Sequence, residues 1–584
     1  MERPLVYFAV SIFISCISTL IFLNKAFLGA VLAASFLILI FFTLNYKEFI
    51  VVLLFFILGC FSFINYFNVD INKEITVRIL RKDKFYCIAD YKGRNLSVLG
   101  NLNKVEEGDK VRIKGDFKKK DIYRLGSIGS FKVKKHCREK RDFIYKIYNL
   151  KKIAYIKFKQ YLGEEKAATV MSLCFGETKY MSNSEKDTLK KLGVVHVISV
   201  SGFHMALIYN VIEKIIKFPF SIPVALLYVV FTGMKASSIR AFIMILILKS
   251  SKKFFRKYDS LSALSLACII ILLKKPYYIL DIGFMLSFLC TLGIILNNKK
   301  MSRYLYKLPR KLNESLSLTL SAQIYSFPYI CFTLKNFGLG FIIGNLILVP
   351  LYAPVVLLGN LALFLIKVPV IFPIINKIIY TILTIIRGGQ LILDNLTPSI
   401  MGVSYIHGIL FSIIYISYLL YNHGYKKIKY LPIYFFFFLM FLNYNIYPKL
   451  YYIRGNGYEV SIIKYKFETT MICSYNINSA KDILKIKEEV KPKKIITNPS
   501  ISKKLNLDNN FQFYINPYLK EECRKYNLIL SYKRKIYVFS QDKHSLPNIK
   551  NKYTMINLNN KNGLSKEKNA SFMIFLGKVY SFNY

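Results

Sequence analysis

Three apolar stretches, residues 5–23, 27–44 and 49–67, follow one another at the N-terminal end with only a few polar residues between them. Each is near the roughly 20 residues needed to cross about 30 Å of hydrocarbon, where a helix satisfies its own backbone groups. The first is too long for a signal-peptide core and is followed at once by two like it, so it reads as a retained span. Over all 584 residues, 54% are hydrophobic and the mean hydropathy is +0.35, which excludes a soluble single domain. The expected fold class is a polytopic α-helical membrane protein carrying an exported OB-like β-barrel domain and a C-terminal α/β domain.

The chain holds 83 Lys and Arg against 33 acidic residues, a formal charge of +50. Such an excess suits an anionic partner, nucleic acid or lipid headgroups, although a chain loaded with Lys, Ile, Asn and Tyr can owe it to base composition alone. The placement of the charge is more telling. Lys249, Lys252, Lys253, Arg256 and Lys257 form one short-loop cluster, Lys299, Lys300, Arg303, Lys307 and Arg310 a second, and Lys426, Lys427 and Lys429 a third. Cytoplasmic loops hold such clusters. Two spans fit between the first pair of clusters and four between the second, which is self-consistent, and about 13 spans are expected in all. With the N-terminus inside, three spans (residues 1–68) put residues 70–140 outside, and a last span at 431–447 puts residues 448–584 outside too. Stretches 219–233 and 236–248 are shorter than a crossing, so broken or re-entrant helices are expected there.

Residues 70–140 read as five short alternating strands, at 75–80, 85–90, 96–99, 110–115 and 130–134, punctuated by Gly93, Gly100, Gly108 and Gly126. Five strands in so short a segment fit an OB-like barrel, and its 20 basic against 10 acidic residues, with Tyr86, Tyr91 and Tyr123 among them, suit a single-stranded nucleic acid. A generic barrel capping the membrane domain is the plainer alternative. Cys87 and Cys137 are the two cysteines of this segment, and a disulfide between them is expected outside the cytoplasm. In residues 141–160, Phe143, Ile144, Ile147, Leu150, Ala154 and Phe158 share one helical face, the pattern of an amphipathic helix at the membrane lipid interface. The tail, 448–584, mixes strands with a helical run at 480–490 and reads as an α/β domain with 25 basic and 10 acidic residues and the single histidine His544. That supply of ligands argues against a metal centre there, and no cofactor is expected.

The densest group of special residues is His196, Ser199, Ser201, Gly202 and His204, in VVHVISVSGFHM. Downstream lie Gly233, Ser237, Ser238 and Arg240, in FTGMKASSIRAFIM, then Asp281, Gly283, Phe284 and Ser287, in LDIGFMLSFL. Polar and ionisable groups at membrane depth are costly and mark a pathway or site. Arg240 and Asp281, on neighbouring short helices, are expected to neutralise each other. For any one of these residues close helix packing is the plainer reading.

These segments, with GETKYMSNSEKDTLKKLGVV before them and GNLILVPLYAPVVLLG after, resemble the competence region of ComEC proteins, the inner-membrane channel for DNA uptake in natural transformation, over about residues 165–365. The resemblance implies a channel domain of about ten helices over 165–447 and a C-terminal domain of metallo-β-lactamase type. The family's H-x-H-x-D-H motif is absent here; KPKKIITNPS stands in its place, with Thr497 and Asn498 where ligands would be. A degenerate domain without nuclease activity is therefore expected, and the chain is read as a conduit rather than an enzyme. The resemblance also implies a surface DNA receptor and a cytoplasmic helicase-like ATPase as partners, since the sequence holds no P-loop. An intramembrane serine hydrolase using Ser201 is the runner-up; it needs a histidine base on another helix.

Overall fold

The computed structural model describes residues 3–582 apart from 83–85, 101, 103, 104, 199, 398, 399, 456, 457, 467, 476–482, 484, 485, 488, 489, 491, 498–501, 509, 510, 521, 522, 533, 534, 541–552, 558–569, 576 and 577. Ser199, Asn498 and His544 thus lie outside the described residues, as does most of the helical run expected at 480–490. The chain divides into two compact units, residues 1–408 and 409–584.

The first unit opens with α1 (Pro4–Asn24), α2 (Ala26–Thr43) and α3 (Tyr46–Phe67), each long and apolar enough to cross a membrane. Small residues bring α1 and α3 together: a Cβ on Gly59 would stand 1.9 Å from Ser15 Oγ, the close approach that membrane helices use in place of a hydrophobic driving force.

A closed barrel follows: β1 (Glu74–Lys82), β2 (Cys87–Tyr91), β3 (Arg94–Leu99), β4 (Lys110–Ile122) and β5 (Ser127–Arg138), ordered β1-β2-β3-β5-β4. Alternation puts Ile75, Val77, Ile79, Ala89, Leu96, Val98, Val111, Ile113 and Phe131 inside. The five-stranded barrel read from the sequence is present, with β4 and β5 longer than expected because they pair well beyond the barrel wall.

The expected Cys87–Cys137 disulfide is not formed. Cys87 is buried on β2 and Cys137 exposed near the end of β5. Cys87 pairs with Val98, which pairs with Phe131, six positions before Cys137. At about 3.3 Å per residue that offset is near 20 Å, against the 7 Å limit for bridged Cα atoms.

The barrel sits on the helix ends through aromatic side chains. Tyr66 at the end of α3 donates to Gly126 O (3.0 Å) and accepts from Asn95 N (3.1 Å), while Asn95 Nδ2 donates to the Tyr277 hydroxyl (3.2 Å). Gly126 has φ +62°, and a Cβ there would meet the Tyr277 ring at 2.6 Å; glycine is required twice over.

Twelve further helices complete the helical part up to the second unit's boundary: α4 (Phe143–Leu162), α5 (Glu164–Phe175), α6 (Asn183–Lys191), α7 (Val195–Ile198), α8 (Gly202–Ile216), α9 (Ser221–Phe231), α10 (Ala236–Lys253), α11 (Ser260–Lys274), α12 (Ile282–Tyr304), α13 (Arg310–Thr333), α14 (Phe341–Phe364) and α15 (Ile371–Leu396). Two-residue strands β6 (Asn336–Phe337) and β7 (Met401–Gly402) pair antiparallel before α16 (Tyr405–Asn422). Helix α4 differs from expectation. It buries Tyr145, Ile147, Lys151, Ala154, Phe158 and Leu162 and leaves Phe143, Ile144 and Leu150 exposed, so half of the face expected to meet lipid packs inside the helical body.

Among the described residues seven helices are long and apolar enough to span: α1, α2, α3, α12, α14, α15 and α16. Of the two stretches expected to be short or broken, 219–233 holds the 11-residue α9 and a turn, whereas 236–248 lies inside the continuous 18-residue α10, because the helix runs on through the polar residues to Lys253. The last expected span is shorter than read: α17 (Leu431–Asn443) has 13 residues, about 20 Å at 1.5 Å per residue, because the chain turns into strand at Asn445.

The tail is richer in strand than expected. One sheet has the order β11-β10-β9-β8-β17-β18, from β8 (Asn445–Gly455), β9 (Tyr458–Lys466), β10 (Glu468–Tyr475), β11 (Lys494–Thr497), β17 (Ala570–Phe575) and β18 (Lys578–Phe582). The other has the order β12-β13-β14-β15-β16, from β12 (Lys503–Asp508), β13 (Phe511–Lys520), β14 (Cys523–Tyr532), β15 (Lys535–Ser540) and β16 (Tyr553–Asn557). Leu450, Ile463 and Ile472 of the first meet Phe513, Leu528 and Phe539 of the second in one core. Ile483, Ile486 and Val490, three of the four described helical positions of the 480–490 run, pack against the cluster of Tyr451, Val460, Ile462, Met471 and Cys473 on the first sheet.

Candidate functional site

The chain breaks between α7 and α8, and Ser201, extended at φ −108° and ψ 175°, is the residue before α8. His204 folds back over this break. Its Nδ1 accepts from Ser201 N (3.2 Å) and stands 2.9 Å from Ser201 Oγ. Because an amide donates to Nδ1, the neutral ring assigned from that bond carries its proton on Nε2. His204 is fully buried, and Nε2 has no partner among the described residues.

Helix α10 presents two groups to this turn. Ser237 and Arg240, three residues apart, share a face; Ser237 Oγ donates to Val200 O (3.0 Å), and Arg240 Nη2 lies 2.8 Å from where a Gly202 Cβ would be. The guanidinium is 8% exposed, donates through Nη1 to Ser287 O on α12 (2.9 Å) and has no partner at Nε. It thus joins the broken turn to α12.

The expected Arg240–Asp281 pair is not formed. Asp281 is the N-cap of α12, and its carboxylate accepts from Phe284 N (2.7 Å), a bond that an aspartate before a helix makes readily. No described ion pair includes Arg240.

Of the residues singled out in the sequence, Ser201, Gly202, His204, Ser237, Arg240 and the Ser287 carbonyl come together. The others do not. His196, on α7, lies close enough to His204 to interact with it electrostatically but makes no described contact with Arg240, and Gly233 lies in an open turn with φ +87° and nothing near its Cβ position. Ser238 is buried without a partner but, two residues before Arg240, lies on the other side of α10. Phe284 is buried in the core shared with the barrel, its ring 4.4 Å from that of Phe288, and Gly283 sits beside the Asp281 cap, 3.1 Å separating its Cβ position from Oδ1.

Sequence reading missed a second polar cluster at the foot of the barrel. Buried Lys151 of α4 pairs with Glu177 at 2.7 Å, and Lys235 donates to Gly176 O at 2.7 Å. Lys179 pairs with Glu107, and Lys152 with Glu106 at 2.8 Å. Arg78 of β1 grips Asp142, which also accepts from Tyr145 N (3.1 Å) to cap α4. The Arg78 guanidinium holds the Asp142 carboxyl well below the usual carboxylate range, and Lys152 with Tyr145 lowers that of Glu106. The only signal in the sequence was the alternation of Lys and Glu, which exposed helices show as well.

The comparisons with known proteins fall on the same region. Residues 173–422 match the competence protein family. That region runs from α5 through α16 and takes in the whole Ser201–Arg240–Ser287 cluster, as the resemblance read from residues 165–365 led us to expect. ComE operon protein 3 of Bacillus subtilis strain 168 is 28% identical over 236 residues, 39% of this chain and 30% of that protein. The uncharacterized protein MG316 of Mycoplasma genitalium is 28% identical over 152 residues, 24% of this chain and 40% of its own length. The matched part of the chain thus spans less than half of either curated relative. No solved structure matches. Among the described residues of the matched region, the cluster around Arg240 is where charge is buried without a carboxylate, and it is the candidate site.

Proposed function

We propose that the protein acts in DNA uptake for transformation, as a channel that passes single-stranded DNA inward across the cell membrane. The observation that carries this reading is Arg240: a guanidinium buried inside the competence region with no acidic partner among the described residues. A charge at membrane depth costs at least about 2.5 kcal/mol on insertion scales, and packing alone would be met by Gly, Ala and Ser. A polyanionic strand crossing the bilayer supplies the missing counter-charge.

The barrel supports the same reading. Its long β4–β5 ribbon exposes Arg112, Lys114, Lys118, Lys132 and Lys135, with Lys114 directly opposite Lys135. Like charges facing each other across strands are unfavourable, and binding a phosphate backbone relieves them while releasing its counter-ions. Both polar domains lie outside in this reading. For the tail that requires α17 to cross, and its 13 residues leave about 10 Å of a 30 Å core to bilayer thinning. The chain does no chemistry of its own: a helicase-like ATPase on the cytoplasmic side draws the strand in, and a surface receptor delivers it.

The 2.9 Å contact between Ser201 Oγ and His204 Nδ1 favours, taken alone, a serine hydrolase. The same Nδ1 already takes the Ser201 amide, and Nε2 lacks the acid that orients a catalytic base. Labelling of Ser201 by a fluorophosphonate would revive that reading. The deciding experiment is deletion of the gene followed by transformation and import of labelled DNA. Loss of both, restored by the wild-type copy, supports the channel; unchanged import overturns it.

A further inference from the structure

The reading above leaves open what Arg240 holds when a strand is present. Arg240 packs on the first turn of α8, where orphan amide donors and the helix dipole already make the potential positive. A cation at that end of a helix is the wrong sign for stability, and here it is buried. The unsatisfied polar atoms on both sides of the turn are donors: Arg240 Nε, and His204 Nε2 in the tautomer that the Ser201 amide selects. A buried guanidinium edge without an acceptor at a helix N-terminus calls for an anion.

The geometry narrows the anion. Nη1 of Arg240 is engaged by the Ser287 carbonyl, so the side-on edge, Nε with Nη2, is the free one, and Nη2 is the atom beside Gly202. That edge donates two parallel hydrogen bonds and matches two oxygens of a phosphate or carboxylate. Gly202 lets the guanidinium come this close to the helix start, since any Cβ would stand 2.8 Å from Nη2. At the equivalent position of the other Ser-x-x-His helix start, Ser404–His407, the chain carries Tyr405.

We propose that the first turn of α8 and the side-on edge of Arg240 form an oxyanion cradle that takes one phosphate group, the phosphodiester of the passing strand. The proposal rests on the channel reading for the source of the phosphate; the cradle itself rests on the geometry. It makes the site a single-phosphate station, gripping one linkage at a time.

The test uses the full chain in phosphate-free maltoside detergent, with thermal stability as the readout. Inorganic phosphate at millimolar concentration should raise the melting temperature above that in chloride of equal ionic strength. A decathymidylate should act likewise at lower concentration, and its uncharged methylphosphonate counterpart should not. Arg240→Gln and Gly202→Ala should abolish the phosphate effect. Arg240→Lys, which keeps charge but loses the fork, should retain less than a fifth of it, and His407→Ala should keep it whole. Absence of any phosphate effect in the wild type, or its persistence in Arg240→Gln, overturns the cradle even where Arg240→Gln blocks DNA import. A phosphate effect lost in Arg240→Gln together with normal import by that variant leaves a site for free phosphate and overturns its place on the strand's route.

Discussion

Two helices of this protein start on the same four-residue figure. Ser201-Gly202-Phe203-His204 opens α8 and Ser404-Tyr405-Ile406-His407 opens α16, and in each the histidine Nδ1 takes the serine amide at 3.2 Å and sits 2.9 or 3.0 Å from its hydroxyl. The local physics is identical: an N-terminal serine and a third-position acceptor satisfy a donor that the helix cannot. The surroundings are opposite. His407 is exposed, whereas His204 is fully buried beside a helix that brings in Arg240. The cap itself therefore carries no function; burial and a neighbouring uncompensated cation turn one copy of it into a candidate site.

The largest effect should come from removing that cation. Arg240→Gln is expected to lower transformation by roughly two orders of magnitude, the scale of losing one aimed donor in a desolvated site, at near-normal membrane expression; transformation frequency and quantitative blotting measure both. Normal transformation by that variant would make the two helix starts functionally equal.

The next largest separates the second residues. Gly202→Ala should reduce transformation about tenfold by displacing the guanidinium, a loss equivalent to about 1.4 kcal/mol. Tyr405→Ala, at a side chain 58% exposed, should leave it unchanged.

Stability should split the two histidines. His204→Ala removes a buried ring and a cap and is expected to cost about 1–3 kcal/mol, against about 0.5 kcal/mol for His407→Ala. Melting of the two full-length variants in the same detergent compares them, and equal shifts would contradict the contrast in burial.

A third cap gives the smallest effect and a pH signature. Asp142 caps α4 while paired with Arg78, and its pKa is depressed in the folded protein. Its stabilisation is therefore complete above the ordinary carboxylate value of about 3.9 and is lost as pH falls through the lower folded value. Asp142→Asn should cost about 1 kcal/mol at neutral pH, the pair being partly solvent-screened, and should weaken the acid dependence of stability below about pH 4. An unchanged acid limb would show that Arg78 and Asp142 do not act as a pair in solution.

How much of this could be read in the sequence depends on the range of the interaction. The three N-terminal spans and the five barrel strands were legible because apolar length and two-residue alternation are local. The site was half legible. VSGFH and SSIR stand out as polar runs in apolar surroundings, yet nothing local tells that Arg240 would find the Ser287 carbonyl while Asp281 turned to its own helix. An aspartate before a helix has a partner three residues away, and that contact forms ahead of a distant one. The Cys87–Cys137 expectation failed for the same reason in reverse: residues sharing a small barrel can still be six strand positions apart. Helix α4 showed a lipid-type pattern because the sequence cannot tell an apolar face buried in protein from one buried in lipid.

The aromatic seat of the barrel bears on how a strand could be handed on. Tyr66 and Tyr277 clasp Gly126 and Asn95 by hydrogen bonds and ring contact, and the ion pairs of Lys179 and Lys152 hold the loop at Glu106 and Glu107 as well. A domain clasped at two places does not swing like a lid. Under the channel function proposed above, a strand taken up on the barrel would travel to the membrane helices along a stationary surface, as rope moves over a fixed pulley block, with the pull supplied from the far end.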